Sequence, residues 1–176
     1  YHQDGNSKIK NYSGDLYITQ ESDDKDIIFQ SDDGSGGVTT YMYLDGSYVG
    51  TRFPQNVQLD DNVELRLGTN QDLRLEHTGS SGTITNYTGS LTISNTTDDG
   101  DIIFKSDDGS GGVETYFYLD GSLSSGSPFT VFPDNARLAL GSSTDMYMYH
   151  NGTDTTINND TGDLYIKNSA DDKDII

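Results

Sequence analysis

Hydrophobic residues recur along this chain in short alternating runs. Residues 65–67, 73–77, 83–87, 91–95, 102–105 and 115–119 carry apolar side chains at every second position, as Leu73/Leu75, Leu91/Ile93 and Phe117/Leu119 illustrate. A period of two predicts strands with one apolar face. Between the runs stand Asp99-Gly100, Asp108-Gly109 and Asp120-Gly121, where glycine supplies positive φ without steric cost. The pattern therefore reads strand, turn, strand. Each run offers two or three apolar side chains to one face. Such a layer cannot bury itself and must stack on further repeats or on copies of itself.

The same residues return at long range. Ser13-Gly14-Asp15-Leu16-Tyr17-Ile18 reappears as Thr88-Gly89-Ser90-Leu91-Thr92-Ile93 and as Thr161-Gly162-Asp163-Leu164-Tyr165-Ile166, at offsets of 75 and then 73 residues. Asp26-Ile27-Ile28-Phe29 returns as Asp101-Ile102-Ile103-Phe104, and the run 31–38 recurs unchanged as 106–113. His2, His77 and His150 hold a single repeat position. The change of period arises in one place: the stretch 47–62 and its partner 122–135 carry the insertions and deletions, which mark an outer loop region. Three segments follow: repeat 1 over 1–75, repeat 2 over 76–148 and a partial repeat 3 over 149–176. Tyr1 matches Tyr149 and Ile176 matches Ile28, so the expectation is a window on a longer array.

Composition explains why the array needs partners. Across 176 residues the hydrophobic fraction is 31%, and exchanging Tyr for Gly in that count gives roughly 36% against about 45–50% for an ordinary globular domain. Aromatic residues at 10% and abundant β-branched residues are nonetheless too many for a disordered chain. Few Ala, Glu and Lys and many Gly, Asp, Asn, Ser and Thr make helix close to excluded. Cysteine is missing, which removes disulfides, thiolate metal sites and thiol nucleophiles. Ten basic against 29 acidic residues give a net charge of −19. That excludes nucleic acid as a partner, since phosphate contacts need basic clusters, and argues against anionic lipid. No apolar run approaches the roughly 20 residues of a membrane-spanning helix.

Candidate chemistry is confined to the repeated turns. Asp32 and Asp33, with their copies Asp107 and Asp108, are the candidate ligands for a cation. Carboxylate and hydroxyl oxygens beside glycine turns suit Ca2+, which takes six to eight oxygens. Their spacing matches neither an EF-hand nor the Gly-Gly-x-Gly-x-Asp nonapeptide, and Asp-Gly forms turns without any cofactor. The pairs Asp23-Asp24, Asp98-Asp99 and Asp171-Asp172 read the same way. Paired carboxylates also serve glycoside hydrolysis, but these recur with the repeat, whereas an active site would break it. The histidines recur likewise and read as a structural pleat position; around a three-fold axis three of them would meet at a metal or anion. Sequons at Asn11, Asn86, Asn95, Asn151 and Asn159 are frequent by chance in so Asn- and Thr-rich a chain. Tyr41-Met42-Tyr43, Tyr116-Phe117-Tyr118, Tyr147 and Tyr149 alternate along strands, with one set expected in the core and the other outward, where it would suit sugar stacking.

The recurring set Leu-x-Leu-Gly (65–68), Asp-Leu-x-x-x-His (72–77), Thr-Gly-Asp-Leu-Tyr-Ile (161–166), Asp-Lys-Asp-Ile-Ile-Phe (24–29) and Ser-Asp-Asp-Gly-Ser-Gly-Gly-Val (31–38) resembles repeats in tail-fibre and related appendage proteins of marine bacteriophages, especially those of cyanobacteria. The resemblance covers nearly the whole chain and lies in structural motifs. It implies an all-β, elongated repetitive fibre, an intertwined homotrimeric β-helix or β-prism shaft in an extracellular virion tail appendage. The expected function is structural, extending toward the host surface to support attachment, with no enzymatic activity. Self-association is the expected partnership, with a host cell-surface glycan as a candidate receptor and no membrane insertion. The alternative is a single-chain β-solenoid in a secreted bacterial filament or adhesin.

Overall fold

Fourteen strands and no helix make up the described residues of a computed structural model, namely 2–3, 5–123, 126–171 and 173–175. Tyr1, Asp172 and Ile176 lie outside them, as does the side chain of His2. Every described strand pair is antiparallel, and the strands of each sheet follow one another through hairpins. Two sheet types alternate. A long meander joins β3 (Ile27–Asp32), β4 (Val38–Asp45) and β5 (Gly50–Arg52), and recurs as β9 (Ile102–Asp107), β10 (Val113–Asp120) and β11 (Phe129–Val131). A short meander joins β6 (Leu65–Leu67), β7 (Leu73–His77) and β8 (Gly82–Asn86), and recurs as β12 (Leu138–Leu140), β13 (Met146–His150) and β14 (Thr155–Asn159). At the start, β1 (His2–Gln3) pairs with β2 (Asn6–Ser7), His2 facing Ser7 as His150 faces Thr155. The all-β expectation holds. The described residues close no barrel and stack no parallel rungs.

The chain divides into two compact units, 1–90 and 91–176, each holding one long and one short sheet. Within each unit no strand of one sheet comes within 8 Å, Cα to Cα, of a strand of the other. Register then decides the faces. In the short sheet of the first unit Leu65, Leu75 and Ile84 stand opposite one another, as do Leu67 and Leu73, so five aliphatic side chains share one face. Arg66, Arg74 and Thr85 share the other. In the second unit Leu138, Met148 and Ile157 align beside Leu140 and Met146. The long sheets place Ile27, Leu44, Phe29 and Met42 on one face, repeated as Ile102, Leu119, Phe104 and Phe117. Phe104 stacks on Phe117 at 4.5 Å between ring centroids.

Among the described residues no strand of another sheet lies over these faces. No described residue is buried, and Leu65, Leu67 and Ile84 are 47%, 45% and 60% exposed. The accessible surface is 14757 Å², whereas a compact chain of 19.2 kDa would leave about 8,400 Å². The hydrophobic poverty of the sequence is thus matched by a chain that builds sheets without a core of its own.

Two sequence expectations need correction. The alternation of Tyr41-Met42-Tyr43 and Tyr116-Phe117-Tyr118 is interrupted: Phe29 pairs with Met42 and Gln30 with Thr40, which leaves Tyr41 as a β-bulge, and Tyr116 bulges likewise. The bulge re-aims the ring, and each hydroxyl donates to a backbone carbonyl, Tyr41 to Asp32 at 3.0 Å and Tyr116 to Asp107 at 2.9 Å. Residues 91–95 were expected to form a strand, but they carry no strand pairing. Periodicity sets a strand's face and not its partner, and the chain brings no edge alongside this segment.

Close approach explains one glycine. The Gly121 N–H donates to Asp101 Oδ1 at 3.0 Å, docking the β10–β11 turn onto the turn before β9, and Gly46 does the same with Asp26. A Cβ on Gly121 would stand 2.6 Å from the Gly100 carbonyl oxygen, whereas one on Gly112 meets nothing within 4 Å. Overpacking of that kind costs about 1–3 kcal/mol. Thermal unfolding is therefore expected to show Gly121→Ala clearly destabilised and Gly112→Ala close to the parent; equal effects would contradict the docking.

Candidate functional site

The turns that carry the acidic runs are held by their own carboxylates. Asp33 Oδ1 accepts the Ser35 N–H at 2.8 Å, the Ser35 hydroxyl at 2.8 Å and the Gly37 N–H at 3.0 Å. Asp108 accepts the Ser110 N–H at 2.8 Å and its hydroxyl at 2.6 Å. Before each, Asp32 Oδ1 takes the Gly34 N–H at 2.6 Å and Asp107 Oδ1 the Gly109 N–H at 2.9 Å. These bonds need Gly36 and Gly111 at φ of 89° and 95°, a region that side chains rarely enter. The candidate cation ligands Asp32, Asp33, Asp107 and Asp108 thus sit in two copies of one hairpin loop with oxygens turned to backbone donors. Among the described residues no three His, Cys, Asp or Glu side chains group as a metal site.

Donors facing a carboxylate favour its charged form. The Ser35 N–H, followed by its hydroxyl and the Gly37 N–H, holds Asp33 below the usual aspartate range, and the Ser110 hydroxyl and N–H do so for Asp108. The β4–β5 and β10–β11 turns repeat the device: Asp45 is lowered chiefly by the Ser47 hydroxyl and Asp120 by the Ser122 N–H. Asp45 also pairs with Arg52 Nε at 2.7 Å, a contact absent from the second repeat because Val131 replaces the arginine opposite Tyr118. Glu64 is lowered first by Arg66, with Arg74 Nη1 at 3.3 Å from its Oε1.

His77 and His150 are clamps. His77 lies on the Leu75 face as the pleat requires, with Nδ1 at 2.9 Å from Asp61 Oδ1 and 3.1 Å from the Gly79 N–H. His150 repeats this with Asp134 at 3.1 Å and Gly152 at 3.0 Å. The Asn62 and Asn135 N–H groups donate to the carbonyls of those same histidines at 2.8 and 2.7 Å. Nδ1 serves one of its two neighbours at a time: it either donates a proton to the aspartate or receives one from the glycine. Asp61-Asn62 and Asp134-Asn135 end the stretches read as variable loops, yet they are fixed to the sheet. Their signal in the sequence is a constant spacing of 16 residues from aspartate to histidine, beginning where a region of changing length ends.

Four tyrosine rings are already occupied by guanidinium groups. Arg137 lies over the rings of Tyr147 and Tyr149 at 4.7 and 5.0 Å, Arg74 over Tyr87 at 4.6 Å and Arg52 over Tyr48 at 4.7 Å. Tyr116 and Tyr118 face an open cleft of about 980 Å³ in the second unit, with Lys105, Glu114, Asp134 and Arg137 around it. The amides of three sequon asparagines are turn donors as well. Asn86 Nδ2 donates to the Thr88 and Gly89 carbonyls at 2.7 and 3.2 Å, Asn159 repeats the pair, and Asn11 reaches Gly14 at 3.0 Å. Attaching a sugar at Asn86 or Asn159 would remove one of the two protons in use.

Because the folded-state aspartates titrate below their ordinary value of 3.8, the order they give the loops is complete above that value and is lost as pH falls through the lower folded one. Protection of the Ser35, Gly37 and Ser110 amides, measured against their intrinsic exchange rates, is expected to fall only at that acidic end. Asp108→Ala is expected to accelerate exchange at Ser110 at neutral pH and to lower the Tm, with Asp108→Asn intermediate; unchanged exchange in Asp108→Ala would contradict the loop's construction. No family model, curated protein or solved structure matches this chain.

Proposed function

We propose that the chain is a structural segment of a homotrimeric shaft in a bacteriophage tail fibre, an extracellular appendage that extends toward the host surface and supports attachment. The observation that carries this reading is the apolar face that every three-stranded sheet presents with no strand of another sheet over it, once per sheet and repeat. Three antiparallel walls set around an axis, each with its aliphatic face inward, make a β-prism whose interior comes from three chains. A single-chain solenoid would instead need parallel rungs covering one another. The motif resemblance to phage appendage repeats supports three-fold assembly and the virion setting.

The energetics favour closure. Burying the remaining surface of a half-exposed leucine or isoleucine gains on the order of 1–2 kcal/mol. Five apolar side chains in each short sheet (aliphatic in the first, three aliphatic and two Met in the second), with the long-sheet faces of all three chains added, exceed the roughly 4–15 kcal/mol cost of association. Opposing this is charge: three chains at −19 each carry about −57. Screening within about 4 Å at seawater-like ionic strength relieves that repulsion, and the charge lies in turns that a prism keeps outside. Receptor contact, with a host glycan as the candidate, falls to the variable stretches 47–62 and 122–135 or to domains elsewhere in the fibre.

Light-scattering mass in high salt is expected near three times 19.2 kDa, about 58 kDa, and the trimer is expected to weaken as salt is removed. A stable monomer at micromolar concentration would overturn the reading, and a stable dimer would overturn the prism.

A further inference from the structure

The turn between β13 and β14 holds the single Asn-Gly step of the chain, Asn151-Gly152, beside the His150–Thr155 pair. An asparagine side chain is open to attack at Cγ by the backbone nitrogen that follows it, which closes a five-membered ring, and glycine leaves that nitrogen uncrowded. Two things hold such a reaction back. The attacking nitrogen must lose its proton, and the side-chain carbonyl is a weak electrophile.

Both are addressed here by neighbouring groups. The Gly152 N–H donates to His150 Nδ1 at 3.0 Å, so an imidazole nitrogen stands at the proton that has to leave. Asn151 Oδ1 accepts the Thr153 N–H at 2.9 Å and the Asp154 N–H at 2.7 Å. Two backbone donors thus face the oxygen on which negative charge develops during attack. Asp134 Oδ1 lies 3.1 Å from the same Nδ1, placed to stabilise the imidazolium once the proton has moved. Among the described residues Asp134 is the charged group within ion-pair distance of His150; Thr155 faces it across the hairpin, and Phe132, Leu138 and Met148 line the cleft beside it. Asn151 is exposed, so water reaches it.

The first repeat builds the same turn without the asparagine. Gly79 donates to His77 Nδ1 at 3.1 Å beside Asp61, and Thr78 stands where the second repeat has Asn151. The Thr78 N–H donates to the Ser81 carbonyl at 2.9 Å, as Asn151 does to Asp154 at 3.1 Å, so the two turns share one shape.

We infer that Asn151 is a self-modification site, at which His150 acts as the base for ring closure onto Gly152. The Gly152 nitrogen bonds to Asn151 Cγ as His150 Nδ1 takes its proton. The Cγ–Nδ2 bond then breaks, and the side-chain nitrogen carries that proton away as ammonia. Water opens the resulting succinimide, at Cγ to give aspartate or at the backbone carbonyl of residue 151 to give isoaspartate. Aspartate adds a negative charge beside Asp134 and Asp154. Isoaspartate lengthens the backbone of the turn by one carbon and strains the His150–Thr155 pair. The chemistry is complete within one chain and stands apart from the trimer reading.

Peptide mapping by mass spectrometry, on the full 176-residue chain stored at neutral pH, tests this. Residue 151 is expected to convert to a mixture of aspartate and isoaspartate, and His150→Gln to slow the conversion on the order of tenfold. The parent rate is expected to level off at mildly alkaline pH once His150 is neutral, whereas closure driven by hydroxide climbs about tenfold per pH unit. Thr78→Asn, which sets the same dipeptide beside the intact His77–Asp61 pair, is expected to gain a second modified position at 78. An Asn151 that stays unmodified would overturn the inference, as would a rate that keeps climbing with hydroxide. An unchanged or faster rate in His150→Gln, or a Thr78→Asn chain unmodified at 78, would overturn it equally.

Discussion

A three-stranded sheet built from hairpins has two faces, and in this chain one of them is apolar and has no described strand of another sheet over it. Leu65, Leu75 and Ile84 stand in register across β6, β7 and β8, and Leu138, Met148 and Ile157 repeat the row across β12, β13 and β14. No strand of a neighbouring sheet in the same unit approaches to cover them. Everything else in the chain answers that condition. Short-range devices fix the shape of each sheet without burial to stabilise it, and on the trimer we propose that burial comes from further copies of the chain.

The short-range devices are carboxylates, amides and guanidinium groups. Asp33, Asp45, Asp108 and Asp120 each gather the N–H and hydroxyl of the residue two positions on, which turns acidic residues into the frame of the loop. Bulged Tyr41 and Tyr116 reach back to the carbonyls of Asp32 and Asp107 at the same hairpins. The Asp61–His77 and Asp134–His150 clamps fasten the incoming chain to the short sheets. Part of the strongly negative charge therefore does structural duty: Asp33, Asp45, Asp108 and Asp120 add to the acidity of the chain and hold its turns.

Much of this was legible in the residues. Alternation in Leu73-Arg74-Leu75 and Phe117-Tyr118-Leu119 gave the faces, Asp-Gly and Gly-Gly gave the turns, and the repeated run 31–38 marked its own copy at 106–113. The bulge at Tyr41 was not legible, because an inserted residue keeps the composition of an alternating run while shifting its phase. Nor was the lack of a partner for Leu91 and Ile93, since period two describes a side chain's neighbours across a face and carries nothing about which edge lies alongside. The His–Asp clamp was legible only as a constant spacing, hidden at the end of a stretch whose length varies. The candidate cation oxygens of Asp33 and Asp108 illustrate a further limit: the residue types that bind Ca2+ are the same that close a glycine loop by themselves.

The most direct test is a density map of the assembled chain. It is predicted to show three-fold symmetry with Leu65, Leu75 and Ile84, and in the next repeat Leu138, Met148 and Ile157, meeting their symmetry mates at the axis. A map in which one chain stands alone, or in which those six side chains face solvent, would contradict it.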